Sequence, residues 1–183
     1  MILEIVQYGH PALRAKGRRV EKVDARIRAL AQDLLDTMYE ADGVGLAAQQ
    51  VGIPVQLCVI DVREVKDRPS ALRIGGKAVQ IEDHMPLILI NPEVESFGEP
   101  QIGVEGCLSF PGVRTDVIRP GVVRVRAQNL QRMIEFEADG LLARAIQHEH
   151  DHLQGILFID RVSASERRRI EAQMRGEPDH ASI

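Results

Sequence analysis

The sequence predicts an α+β fold: small mixed or antiparallel β-sheets around a central helix bearing a His-Glu-x-x-His pattern, with one helix before it and one after. Three observations predict it. Helical periodicity is confined to about 24–41, 140–153 and 163–174. Short β-patterned runs at 56–61, 87–90, 122–127 and 133–138 lie together between the first two helices, and they do not alternate with helices as βαβ units would. A chain of 183 residues, 44% hydrophobic and 27% charged, suits one domain with its own core, spanning 1–183.

The first helix is marked by Ile27, Leu30, Leu34 and Met38, which share one face, and Gly43 and Gly45 end it. The segment Gly43-Val44-Gly45-Leu46-Ala47-Ala48-Gln49-Gln50 lets the backbone run close to something, and its terminal glutamine amide offers donors for a developing oxyanion. Without the spacing and lysine of a phosphate loop it disfavours nucleotide binding. The strand at 56–61 is apolar throughout, so Cys58 within it reads as a small core hydrophobe. A polar stretch at 65–84 reads as an insertion between strands. The runs at 122–127 and 133–138 are joined by Asn129-Leu130-Gln131 as a hairpin connection.

The helix at 140–153 has Asp139 as its N-cap and Gly155 as its terminating glycine. Leu142, Ile146 and Leu153 face a core, while Leu141, Ala145, His148 and His152 form the neighbouring stripe. At i and i+4, His148 and His152 share a face and are able to grip one metal ion, with Glu149 beside it. His150 projects elsewhere and reads as a solvated residue; Arg144 reads as solvent-facing near the entrance, with no role. Two protein ligands leave a catalytic site one short of the usual three. Cys107, in Glu105-Gly106-Cys107-Leu108-Ser109 before Phe110-Pro111-Gly112, is a better third ligand than Cys58, and a Cys-His-His set suits zinc.

Three ordered motifs, Gly43 to Gln50, Glu105 to Ser109 and Gln147 to Gly155, resemble those of the peptide deformylases, GxGLAAxQ, EGCLS and QHExDHLxG, without a mismatch at the defining positions. The beginning of the chain, through Pro11, Leu13 and Arg14, and the run Glu137 to Leu142 are similar too. The resemblance implies removal of the N-formyl group from the formyl-methionine of nascent polypeptides by one divalent metal ion. Its ligands would be Cys107, His148 and His152, with Glu149 as acid and base and Gln50 and the Leu108 N–H as oxyanion donors. It also moves the expected metal from zinc to Fe2+, with Zn2+, Ni2+ or Co2+ possible as prepared, and implies no further cofactor.

Val44, Leu141 and Ala145, with the ring of His148, are then expected to line a pocket for the methionine side chain, and the backbone around Gly45 to pair with an extended peptide. Glu105 and Asp151 are alternatives for orienting a ligand imidazole, each equally able to be a salt-bridge partner of Arg114 or Arg119. A general metallopeptidase and a structural metal site are the rival readings. The sequence has no apolar run long enough to span a bilayer, and two distant cysteines argue against a disulfide, so a cytoplasmic protein is expected. A net charge of −4 gives no general attraction to nucleic acid. The exception is the C-terminal helix and tail, 163–183, where arginines cluster among Glu166 and Glu171; a self-paired solvated helix is the simpler reading, and a weak ribosome contact is the one the resemblance suggests.

Overall fold

The computed structural model describes residues 1–177, so residues 178–183 of the expected tail lie outside the described residues. The first helix, α1 (Ala25–Glu40), starts where the Asp24 side chain accepts from the backbone N–H of Arg26 and Ile27, each at 3.0 Å. It buries Leu34 and Met38 completely, with Ile27 and Leu30 at the margin of the same cluster. That face packs on Leu46, Leu57, Val59 and Ile90 of the sheet.

Seven strands follow: β1 (Gly45–Ala47), β2 (Leu57–Ile60), β3 (Ser70–Ile74), β4 (Lys77–Val79), β5 (Leu87–Cys107), β6 (Phe110–Gln128) and β7 (Met133–Asp139). They form a single sheet in the order β1-β2-β5-β6-β7-β3-β4, and every neighbouring pair is antiparallel. Of the mixed and antiparallel alternatives the antiparallel one holds, and the expectation of several small sheets is corrected to one. What broke the pattern in the sequence is the set of prolines and glycines inside β5 and β6, which normally end strands. Here all but Gly103, which pairs regularly with Val117, fall where the ladder shifts register, at Ile90/Glu93, Phe97/Pro100 and Gly106/Cys107, so two long strands bend without separating.

The polar stretch between β2 and β5 carries the β3–β4 hairpin, turned by Gly75 and Gly76 with φ of 57° and 76°, and β3 pairs with β7 to extend the sheet. Leu72 anchors it in the core at 2% exposure. The second helix, α2 (Gly140–Leu153), begins after Asp139, but that side chain pairs with Arg73 and caps nothing. The helix N–H groups of Leu141 and Leu142 instead reach the Pro69 carbonyl and the Ser70 hydroxyl, both at 2.9 Å. Leu142, Ile146 and Leu153 pack against Leu89, Val123 and Val125 of the sheet.

The last helix, α3 (Ala164–Met174), is capped by the Ser163 hydroxyl and buries Ile170 against Phe110 and Phe158. Its charges pair internally, Arg167 with Glu171 and Arg169 with Glu166, while Tyr8 and Thr115 donate to Glu171 and Glu166, each at 2.9 Å. No helix among the described residues is long and apolar enough to cross a membrane.

One bend is secured by a side chain. Asn91 has a φ of 50°, and its amide accepts from the Val20 N–H at 2.9 Å and donates to the Val20 carbonyl at 2.8 Å. Asn91→Ala removes both bonds and leaves in the left-handed region a residue that tolerates it less well than asparagine, so urea denaturation should show a loss of roughly 2–3 kcal/mol, with Asn91→Gly recovering about 1 kcal/mol of it.

Candidate metal centre

Helical spacing on α2 brings the His148 and His152 rings to 5.0 Å between centroids, at 64° to one another. The tight reversal from β5 to β6 sets Cys107 opposite them, its sulfur 3.4 Å from His152 Nε2. The ligand atoms of Cys107, His148 and His152 all lie within 4.8 Å of one another, the one such group of three among the described residues. Tetrahedral coordination separates a thiolate sulfur and an imidazole nitrogen by about 3.5 Å, so the triad fits a single cation, and the donor set suits zinc or iron. Cys58 lies in β2 within the core, 1% exposed and outside this group.

The neighbours of the triad are as informative as its members. His148 Nδ1 meets Glu105 at 2.8 Å, leaving Nε2 for a cation. Glu105 in turn accepts from Arg119 Nε at 2.6 Å, Arg119 Nη2 at 2.9 Å and Arg144 Nη1 at 2.8 Å. Of the two acids considered as orienting partners, Glu105 touches the histidine and Asp151 does not. Asp151 is a salt-bridge partner, of Arg119 at 2.9 Å and Arg161 at 2.8 Å. Burial alone would raise the Glu105 pKa, but His148 and Arg119 outweigh it and hold the carboxylate well below its usual range.

Burial also disfavours charge on both imidazoles, with opposite outcomes. At His148 the Cys107 sulfur and Glu105 overcome it and push the pKa well above the ordinary value; at His152 burial and the neighbouring His148 push it well below. His152 Nδ1 is buried without a hydrogen-bond partner, as is Glu149 Oε2. Glu149 is 4% exposed, and burial lifts its carboxyl to about 7, aided by Glu105 and opposed by His148 and Arg119. Space for that carboxylate exists because residue 45 is glycine: a Cβ there would sit 2.8 Å from Glu149 Cδ. Gln50 is held by its own Oε1, which accepts from the Ala47 N–H at 3.0 Å, so its NH2 points to Ser109 Oγ at 3.2 Å and Cys107 Sγ at 3.5 Å. Leu108 follows Cys107 in the turn, its side chain against Gly43, where a Cβ would come within 2.8 Å of Leu108 Cδ1.

These groups open on a cleft of about 660 Å³ whose lining includes Val44, Gly45, Gln50, Leu108, Leu141, Ala145, His148 and Glu149. Every residue named from the sequence as ligand, acid–base group, oxyanion donor or pocket wall is thus at the triad or on this cleft, His152 lying just behind it.

Two polar residues on α2 differ from expectation. Arg144 is 7% exposed and donates to Glu105, to the Val117 carbonyl and to the Gln101 carbonyl, each at 2.8 Å. Gly103 makes room for it, since a Cβ there would approach Arg144 Nε to 2.7 Å. His150 is half-buried, and burial lowers its pKa. Arg144 departs because strands β5 and β6 extend far enough to cover a side of α2 that shorter strands would leave in water. Arg119, named from the sequence only as an alternative salt-bridge partner of Glu105 or Asp151, pairs with both, and its place in β6 among the inward positions Val113, Val117 and Val123 accords with a buried cation.

A thiol and two imidazoles around a buried carboxylate, open to a cleft, are what metal-dependent hydrolases assemble. The chain belongs to the polypeptide deformylase family, whose model matches residues 2–168. It is 51% identical to a peptide deformylase of Methylacidiphilum infernorum, the match covering 95% of this chain and 92% of that protein. It is 44% identical to one of Opitutus terrae, covering 96% and 92%. Among solved structures, a peptide deformylase of Synechococcus elongatus in complex with actinonin superposes with a TM-score of 0.80 at 40% identity, covering 99% of this chain and 91% of that one. One from Legionella pneumophila gives a TM-score of 0.82 at 33% identity, covering 96% and 95%.

Glu105 is expected to set metal affinity through the orientation of His148. In Glu105→Gln, competition with a chelating indicator should show metal binding weakened by about 10- to 100-fold, with circular dichroism reporting a folded protein.

Proposed function

We propose that the chain removes the N-formyl group from the formyl-methionine of newly made polypeptides, releasing formate. In this reading Cys107, His148 and His152 hold one divalent cation, Fe2+ natively and Zn2+, Ni2+ or Co2+ as prepared. The observation that carries it is the buried Glu149 carboxylate beside the triad, unpartnered at Oε2 and facing a cleft. A bound divalent cation supplies two things, a bound water whose pKa falls from 15.7 to about 7 and charge withdrawal from a carbonyl oxygen.

The chain's own groups supply the rest. Glu149 takes the proton of the attacking water and returns it to the leaving nitrogen, for which a carboxyl poised near 7 is suited. The Gln50 NH2, aimed at Cys107 by its bond from Ala47, and the Leu108 N–H donate to the oxyanion as the formyl carbon becomes tetrahedral. Glu105 keeps His148 presented through Nε2. Val44, Leu141, Ala145 and the His148 ring receive the unbranched methionine side chain, and backbone around Gly45 pairs with the peptide in extended form. Collapse of the tetrahedral species breaks the C–N bond, so formate and a free N-terminal amine leave. Such a substrate places the work in the cytoplasm, beside translating ribosomes.

Iron-loaded protein assayed anaerobically should release formate from a formyl-methionyl peptide and leave its unformylated counterpart intact. Glu149→Ala should bind metal normally and release formate about 10²- to 10⁴-fold more slowly; equal activity in the variant sinks the mechanism, and cleavage of the unformylated peptide favours a general peptidase.

A weak ribosome contact through α3 is a further part of the proposal, supported by the exposed Arg168 beside the internally paired charges. Removing residues 163–183 should reduce co-sedimentation with ribosomes at low salt; unchanged co-sedimentation rules the contact out.

A further inference from the structure

The β5–β6 hairpin has an outward face on which a group of apolar side chains stands beside the exposed charges of Arg114 and Asp116. Alternation along both strands sends Glu105, Val117 and Arg119 inward and their neighbours Ile102, Val104 and Ile118 outward. Ile102 and Ile118 are direct cross-strand partners, 71% and 61% exposed, and Val104 beside them is 41% exposed. Three β-branched apolar side chains grouped on a solvent face mark a candidate binding surface.

The patch is continuous with the cleft. A second hollow, of about 660 Å³, is lined by Val104, Ile118, Val162 and Arg114 among others, and it shares Val104 and Arg114 with the cleft that holds Glu149. Distance along the strand sets what reaches it. Ile102 is five residues before Cys107 in β5, which at ~3.3 Å per residue is roughly 16 Å from the triad. An extended substrate that leaves Gly45 along β5, with its formyl group at Cys107, would end near Val104 if it has three residues and would reach Ile102 and Ile118 from about its fifth.

We propose that this outward face of β5–β6 is an extended subsite that takes apolar side chains at about the fifth and sixth positions of the nascent polypeptide. The inference rests on the deformylase reading of the cleft. Three side chains expose far less than the ~800 Å² per partner of a standard interface, which fits a peptide segment better than a second copy of this chain.

The test compares kcat/KM for three peptides on metal-loaded, full-length protein: formyl-Met-Ala-Ser, formyl-Met-Ala-Ser-Ala-Leu-Val-Ala, and the same heptapeptide with Asp-Ser in place of Leu-Val. The apolar heptapeptide should exceed both others by roughly 3- to 10-fold, through KM, as partial burial of one or two aliphatic side chains gives. In Ile118→Asp, and independently in Ile102→Ser, that ratio should fall toward one, with melting curves showing a folded protein. Equal kcat/KM for the three peptides overturns the proposal, as does a ratio that survives both substitutions. A concentration-dependent dimer abolished by Ile118→Asp, with no length effect, assigns the patch to self-association instead. Calorimetric binding of the same peptides to Glu149→Ala protein gives the ratio without turnover. Failure of the tripeptide to release formate therefore refutes the deformylase reading while the binding ratio still decides the subsite.

Discussion

A single buried carboxylate organises this protein. Glu105 accepts hydrogen bonds from two guanidinium groups and meets the imidazole of His148, and it is nearly inaccessible to water. An uncompensated charge in such a place is prohibitive, so the fold is obliged to bring β5, β6 and α2 together in one register for all these partners to meet. Arg119 extends the arrangement by spanning Glu105 and Asp151, which ties the strand that carries it to both ends of the histidine turn. The geometry of the triad is therefore set by electrostatics behind it as much as by the ligands themselves.

Close backbone approach is the second constraint. Gly45 leaves room for the Glu149 carboxylate, Gly43 for the Leu108 side chain and Gly103 for Arg144. Each glycine gives up a Cβ so that a larger group from another element is able to occupy the space. Segments far apart in the chain converge there with little tolerance for added volume.

How much of this was legible in the sequence follows from the range of the interactions. Helices α1, α2 and α3 were readable because their apolar periodicity and polar boundary residues are local. The triad and Glu149 were readable because i,i+4 spacing and a glycine-flanked cysteine are local too. The single long-stranded sheet was not, since the prolines and glycines of β5 and β6 read as breaks until the partner strand shows them to be bends. Arg144 was misread for the same reason: whether a helical arginine meets water or a carboxylate depends on a strand 39 residues away in sequence.

The start of α2 has a consequence of its own. Its first N–H groups are satisfied by Pro69 and Ser70, which lead into β3, while Val65 and Arg68 just before them line the cleft mouth and Arg68 donates to the Val104 carbonyl at 3.0 Å. The stretch that resembles an expendable surface excursion is thus both doorframe and foundation: shortening it would unseat the helix on which the two histidines ride. Past Leu72, which is still fixed in the core, only the Gly75-Gly76 tip serves neither role, so the hairpin's far end is the part free to change in length while its near end is mechanically committed.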